Sequence, residues 1–366
     1  MDGSVNCGRV RRGRTGDGAG RAPAWRPRSS VSSAPLPRGG KGRREGCYPP
    51  RVEVRVRFEV EQNYRGWRLD AYLLHKIRRL TPEKVAFLIA HRLEHEGAAA
   101  LAADSLLTPG LRFALVREVR PEPETPLHFG VIHDDGALLV VDKPAGLPVH
   151  PTALYFAHTF TALAKARFPE RKVDPAHRID RETSGLLACG SAPAHTTRLK
   201  AAFANGQVEK SYLALCEGWP AEDRFAVEAP LALTGASLVR VRMHVTAGGA
   251  AAATGFEVLG RRTAPDGTPV ALVACAPRTG RQHQIRAHLH HAGLPLVGDK
   301  IYGHDEAIFD RFTRRELTDH DRVRLRLGRH ALHAWRLAFP HPVSGERVAF
   351  EAPLPEDLQA FWDGCS

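Results

Sequence analysis

A chain of 366 residues, 43% hydrophobic and 25% charged, is long enough for two cores and ordinary in composition for a globular protein. No apolar run approaches the ~18 residues needed to cross a bilayer, and six cysteines without a C-x-x-C pair argue against a zinc knuckle or disulfide framework and fit a reducing compartment. Net charge is +12, but eleven Lys/Arg against three acids put +8 of it in residues 1–50; residues 51–366 retain +4, so a nucleic-acid surface there must be a local patch.

Residues 1–50 are rich in Gly, Arg, Ser and Pro, a composition expected to form a disordered basic tail with weak, salt-sensitive RNA affinity at most. No apolar core follows Arg11-Arg12, which opposes a secretory signal, and the glycines and prolines oppose an amphipathic transit helix. Residues 51–120 read as a small domain. Arg51 to Glu61 alternates Val and Phe with charged residues, the mark of a half-buried strand. Two short helices are expected over Arg68–Leu74 and Leu80–Ile89, the second opened by Thr81 as cap and Pro82 at the first helical position. A Thr108-Pro109-Gly110 turn then leads to a strand, Leu111 to Val116.

The proline-rich stretch opening residues 121–130 reads as a linker, and 131–366 as the larger domain. Asp134-Asp135-Gly136 turns the chain into a continuous apolar strand, Ala137 to Val141, which ends in the rigid Lys143-Pro144-Ala145-Gly146 turn. A helix from Thr196 stopped by Asn205-Gly206 and a strand from Val208 to Cys216 follow. Antiparallel strands are expected across 230–262 and at Val270–Val273, then a helix ending at Gly293 with Pro295 beyond it.

The chemistry concentrates in His177-Arg178-Ile179-Asp180-Arg181-Glu182-Thr183-Ser184-Gly185, a polar loop feeding the apolar run from Leu186. Asp180 lies between two arginines, which favour its ionised form, and an anchored carboxylate can serve as nucleophile or base on an anionic substrate. Taken alone, an Arg-x-Asp-Arg loop is better explained as a set of surface ion pairs. Arg278, Arg281 and Arg286 at a helix start would form an anion site. His283, His288, His290 and His291 suggest metal ligands, with 288 and 291 on one helical face, but no carboxylate or cysteine completes a set. His133, Asp134 and Asp135 are better explained by a turn.

The nonamer resembles the catalytic loop of the RluA-like pseudouridine synthases, His-Arg-Leu-Asp-x-x-Thr-Ser-Gly. Further family patterns follow in order at Lys143–Gly146, Lys210-Ser211-Tyr212, Thr279–His288, Gly298–Gly303 and Leu332–Pro342, so the resemblance covers about 133–355. It implies an α+β fold, a mixed, mainly antiparallel sheet flanked by helices with the active-site cleft across it. It also implies isomerisation of uridine to pseudouridine in ribosomal or transfer RNA. Asp180 is then the essential carboxylate, oriented and ionised by Arg286. Tyr212 stacks on the base and assists removal of the carbon-five proton. Arg178 fills the space left by the flipped nucleotide, and Arg181, Lys143, Lys210, Arg281 and His283 contact RNA or shape the pocket. Residues 51–120 resemble the αL RNA-binding module that many such enzymes carry, without its usual basic helix start and Asn-Gly turn. The implied protein is a cytoplasmic monomer with RNA as partner and no cofactor, metal or membrane. A catalytically silent RNA-binding protein on the same scaffold is the alternative; a glycoside hydrolase would want a second carboxylate ~5–10 Å away, which no motif supplies.

Overall fold

The computed structural model describes residues 52–366 apart from 78, 79, 96–99, 120, 153, 236, 238 and 304; the expectation for the 1–50 tail lies outside the described residues. The chain divides into two units between Pro121 and Glu122.

The first unit runs β1 (Val52–Glu59), α1 (Leu69–Lys76), α2 (Pro82–Arg92), β2 (Leu93–His95) and β3 (Arg112–Val119). Its three strands form an antiparallel sheet in the order β1-β3-β2. Alternation along β1 turns Phe58 inward, where it stacks on its register partner Phe113 at 5.0 Å between ring centroids. Leu69, Tyr72 and Leu73 of α1 and Val85 and Ile89 of α2 complete that core. Thr81 caps α2 by accepting from the Lys84 N–H, with Pro82 in the first turn.

The second unit opens with β4 (Gly130–Asp134), β5 (Leu138–Lys143), α3 (Phe160–Arg167), β6 (Asp174–Pro175), β7 (Ser184–Gly190), α4 (Pro193–Ala204) and β8 (Glu209–Glu217). It continues through β9 (Arg224–Glu228), β10 (Leu231–Leu233), β11 (Met243–Val245), β12 (Ala253–Thr263), β13 (Pro269–Pro277) and α5 (Gln284–His291). It ends with α6 (Ala307–Arg314), α7 (Asp319–Leu325), β14 (Leu332–Pro340), β15 (Arg347–Glu351) and α8 (Glu356–Asp363). Ten of these strands form one mixed sheet along the path β4-β5-β7-β14-β8-β13-β12-β9, with β6 on β7 and β15 on β14. Pairing is antiparallel except between β7 and β14.

The apolar runs of β5 and β7 are explained by burial on both faces. Leu139, Val141, Leu187 and Cys189 enter one core, and their neighbours Leu138, Val140, Leu186 and Ala188 enter another on the opposite face. The parallel contact sits where the His177–Thr183 loop joins β7, with His333 opposite Ser184 and Ala334 opposite Gly185. Gly185 has φ +105°, and a side chain there would run into the Ala334 backbone. The loop's exit is thereby clamped against a central strand.

Candidate active site

The loop from His177 to Thr183 is held at several points before its functional groups come into play. Burial lowers the His177 pKa to about 3, so its neutral Nε2 accepts from the Ala188 N–H at 3.1 Å while the ring stacks on Phe203. Ile179 is anchored in the core with Leu139 and Phe160. The Arg181 carbonyl accepts from the Gly146 N–H at 2.8 Å and from Lys143 Nζ at 3.1 Å. At the exit Ser184 bonds His333 Nδ1 at 3.0 Å, and His333 Nε2 bonds the Ala352 carbonyl. Burial keeps that ring neutral, so Nε2 carries the proton and Ser184 is the donor to Nδ1.

These restraints present Asp180 to a cleft of about 640 Å³, lined also by Arg178, Lys210, Tyr212, Arg281, His283 and Arg286. Asp180 accepts from Arg286 Nη1 at 2.8 Å. Burial alone would raise the pKa of this carboxyl; the guanidinium reverses the balance and brings it to about 2, so it is ionised at neutral pH. Arg286 is in turn held by Asp299 through two bonds, Nε to Oδ2 at 2.7 Å and Nη2 to Oδ1 at 2.9 Å. Despite burial, its two carboxylate partners push its pKa upward, so it carries its charge throughout the working range.

Helix α5 can deliver Arg286 because it is buried from Gln284 to Leu289. Ile285 and Leu289 pack with Phe256 and Leu296, while Ala287 packs in a separate core with Tyr302. The Gln284 amide ties down the preceding loop: its oxygen accepts from Thr279 Oγ1 and the Arg281 N–H, and its nitrogen donates to the Ala253 carbonyl and Thr254 Oγ1. His283 sits at φ +54°, a left-handed conformation that disfavours a residue with a Cβ by roughly 1–2 kcal/mol. That turn carries its Nε2 to 3.8 Å from Asp180 Oδ2, and its Nδ1 shares a hydrogen bond with Tyr302 Oη at 3.1 Å. Burial lowers the His283 pKa to about 4, so the ring is neutral at pH 7.

Tyr212 reaches the cleft from β8, where it pairs Cys275 of β13 and Ala334 of β14. Burial, with the Asp180 charge adding to it, raises the phenol pKa, which disfavours a phenolate and leaves the aromatic face as the group's main asset. Arg178 is exposed at the cleft and makes no hydrogen bond or ion pair with a described residue. Lys210 donates to the Thr279 carbonyl and Arg281 to the Ala251 carbonyl, both at the cleft wall. Lys200, which the sequence reading did not single out, adds a rim cation and pairs with Asp174.

One expected RNA contact is corrected by the geometry. Lys143 is 0% exposed, its ammonium donating to the carbonyls of Pro144, Leu147 and Arg181, so no face is open to a phosphate. Burial lowers its pKa to about 7. Arg181 is engaged by the Tyr155 hydroxyl and Glu182 outside the cleft lining, with 31% of its side chain still exposed. The three-arginine anion site also changes, because Arg286 is neutralised by two carboxylates and Arg278 pairs with Glu228. Among the described residues no group of three or more His, Cys, Asp or Glu is arranged to hold a metal, and His288 is engaged by Thr254 and the Ala229 carbonyl.

An ionised carboxylate locked to a buried arginine, under a cleft rimmed by cations and an aromatic face, defines an enzyme for an anionic, base-bearing substrate. The family model for RNA pseudouridylate synthase matches residues 137–291. The ribosomal large subunit pseudouridine synthase D of Zymomonas mobilis subsp. mobilis is 33% identical over 312 residues, 80% of this chain and 92% of that one. The ribosomal large subunit pseudouridine synthase C of Vibrio cholerae serotype O1 is 30% identical over 327 residues, 84% and 96% of the two chains. Among solved structures, human RNA pseudouridylate synthase domain containing 1 aligns over 67% of this chain and 91% of its own, with 26% identity and a TM-score of 0.53. The chain belongs to the RluA-like RNA pseudouridine synthases and is an isomerase acting on RNA.

Proposed function

We propose that this enzyme converts uridine to pseudouridine in large-subunit ribosomal RNA, with Asp180 as its essential carboxylate, working in the cytoplasm as a monomer. The substrate reading is supported by the large-subunit relatives that span most of this chain. The assignment to Asp180 is supported above all by one observation, its 2.8 Å bond to Arg286 on the wall it shares with Tyr212. The reaction breaks the bond from ribose C1′ to uracil N1, forms one from C1′ to C5, and moves a proton from C5 to N1. No atom enters or leaves, so no cofactor is needed.

A base inside a helix is out of reach, so the nucleotide is everted into the cleft. Arg178, exposed and without a hydrogen-bond or ion-pair partner among the described residues, is placed to fill the gap in the stack. Tyr212 supports the ring by its face, a contact of ~1–3 kcal/mol per base, and Lys200, Lys210 and Arg281 meet the backbone. Attack on C1′, attack on the ring and removal of a ribose proton all require an ionised Asp180, which the Arg286 contact supplies. Asp180→Asn is expected to lower turnover by at least ~10³-fold while RNA affinity stays within about threefold. Mapping pseudouridine in ribosomal RNA from cells with wild-type or Asp180→Asn protein tests it; an unchanged map would remove Asp180 from the chemistry. Tyr212→Phe should hold RNA better than Tyr212→Ala, and equal losses would remove the stacking role.

A further inference from the structure

Arg286 alone does not fix the direction of Asp180, because a guanidinium on a four-bond stem has many rotamers. Its plane is set by Asp299, which takes Nε and Nη2 in a two-point fork and leaves Nη1 for Asp180. Asp299 is itself held: Oδ1 also accepts from the Ile301 N–H at 2.9 Å and the Tyr302 N–H at 3.0 Å. The preceding Gly298 has φ +75°, and the space a Cβ would need there is filled by the Arg329 carbonyl, so the turn has no room to shift. The next residue, Lys300, has only 3% of its side chain exposed and donates to Glu182 Oε2 at 2.9 Å and to the Gly328 carbonyl at 2.7 Å. Glu182 lies two residues beyond Asp180, and its other oxygen takes the Arg181 guanidinium.

We propose that Asp299 and Lys300, neighbours of opposite charge in one turn, are positioning residues that hold the catalytic loop at both ends of the stretch 180–182. The first acts through Arg286 and the second through Glu182. The inference rests on the role proposed for Asp180 and deepens it. The carboxylate's place relative to C1′ is set by the turn after α5, not by its own side-chain rotamer.

The test uses the full chain and unmodified large-subunit ribosomal RNA from cells lacking the protein. Asp299→Asn is expected to lower kcat by about 10²-fold with KM within about threefold, and to move the acid limb of kcat to higher pH. By Coulomb's law alone, exchanging a nearby carboxylate for an amide would move that limb lower, so an upward move reports the lost Arg286 contact. Lys300→Met, which removes a buried charge and leaves Arg286 untouched, should lower kcat about tenfold at unchanged KM. The proposal is overturned by a kcat within about twofold of wild type in either variant, or by an Asp299→Asn acid limb that stays or falls. If Asp299→Asn does not fold, Lys300→Met decides by the same threshold. An Asp180→Asn control that retains turnover overturns the reading of Asp180 itself; a silent control beside wild-type-like positioning variants overturns only the clamp.

Discussion

Arg55 meets Glu94 with 46% and 49% of the two side chains still in solvent, whereas Arg286 meets Asp299 with 5% and 0% exposed. The first pair belongs to a unit whose cohesion comes from Phe58, Tyr72, Phe113 and the leucines around them. Apart from Lys76, its ion-paired charges lie at the surface, where an ion pair is worth ~0–1 kcal/mol. In the larger unit Asp180 lies at the cleft wall on the buried Arg286–Asp299 pair, with the largely buried Glu182–Lys300 pair beside it. A buried pair roughly breaks even against apolar residues of the same size, so its benefit is directional. One unit uses charge at the water boundary, and the other uses it to aim a carboxylate.

Acid should separate these two uses of charge most strongly. Burial lowers the His330 pKa to about 3 and the His333 pKa to about 4, below the usual 6.5. The unfolded chain therefore binds more protons between pH 6.5 and 4, and stability is full above 6.5 and falls as pH falls. By pH 5 each ring accounts for roughly 2 kcal/mol. Asp180, with its pKa depressed to about 2, contributes stability that is present above 3.8 and lost as pH falls through 2. Urea midpoints of the full chain at pH 7 and pH 5 check this, and equal midpoints would mean the rings are charged or accessible in the folded state.

Arg286→Met comes next, because it strands two carboxylates underground; a loss of about 3–5 kcal/mol is expected. A smaller loss, about 1–3 kcal/mol, should follow Lys143→Met, which leaves three inward carbonyls without their shared donor. Arg55→Ala and Glu94→Ala should each change stability by less than ~1 kcal/mol. A surface variant as damaging as Arg286→Met in urea denaturation would erase the contrast between the units.

Much of the fold was legible because it is written in near neighbours. The alternation of β1, the apolar run of β5, Thr81-Pro82 before α2 and Asn205-Gly206 after α4 each depend on residues a few positions apart. Helices α6 and α7 escaped notice, although Thr318 and Asp321 form a capping box around the start of α7 that could have flagged it. In the site, Asp180 was conspicuous between its arginines. Its pairing with Arg286, 106 residues away, came from a family resemblance and not from local chemistry. Asp299 was read only as part of a loop pattern, since nothing beside it in sequence indicates the arginine it grips.

By itself the sequence determined the strand and helix periods, the turns, the family and where the acid proposed for the chemistry lies, all of which follow from local stereochemistry or matching motifs. Tertiary structure alone decided which charges face the cleft and which face one another. Lys143 looked like a cation for phosphate until neighbouring backbone closed around it. The reason is physical: a side chain's charge is a property of its residue, but its solvent and its partner are properties of whatever the rest of the chain brings within 3 Å, the reach of a hydrogen bond.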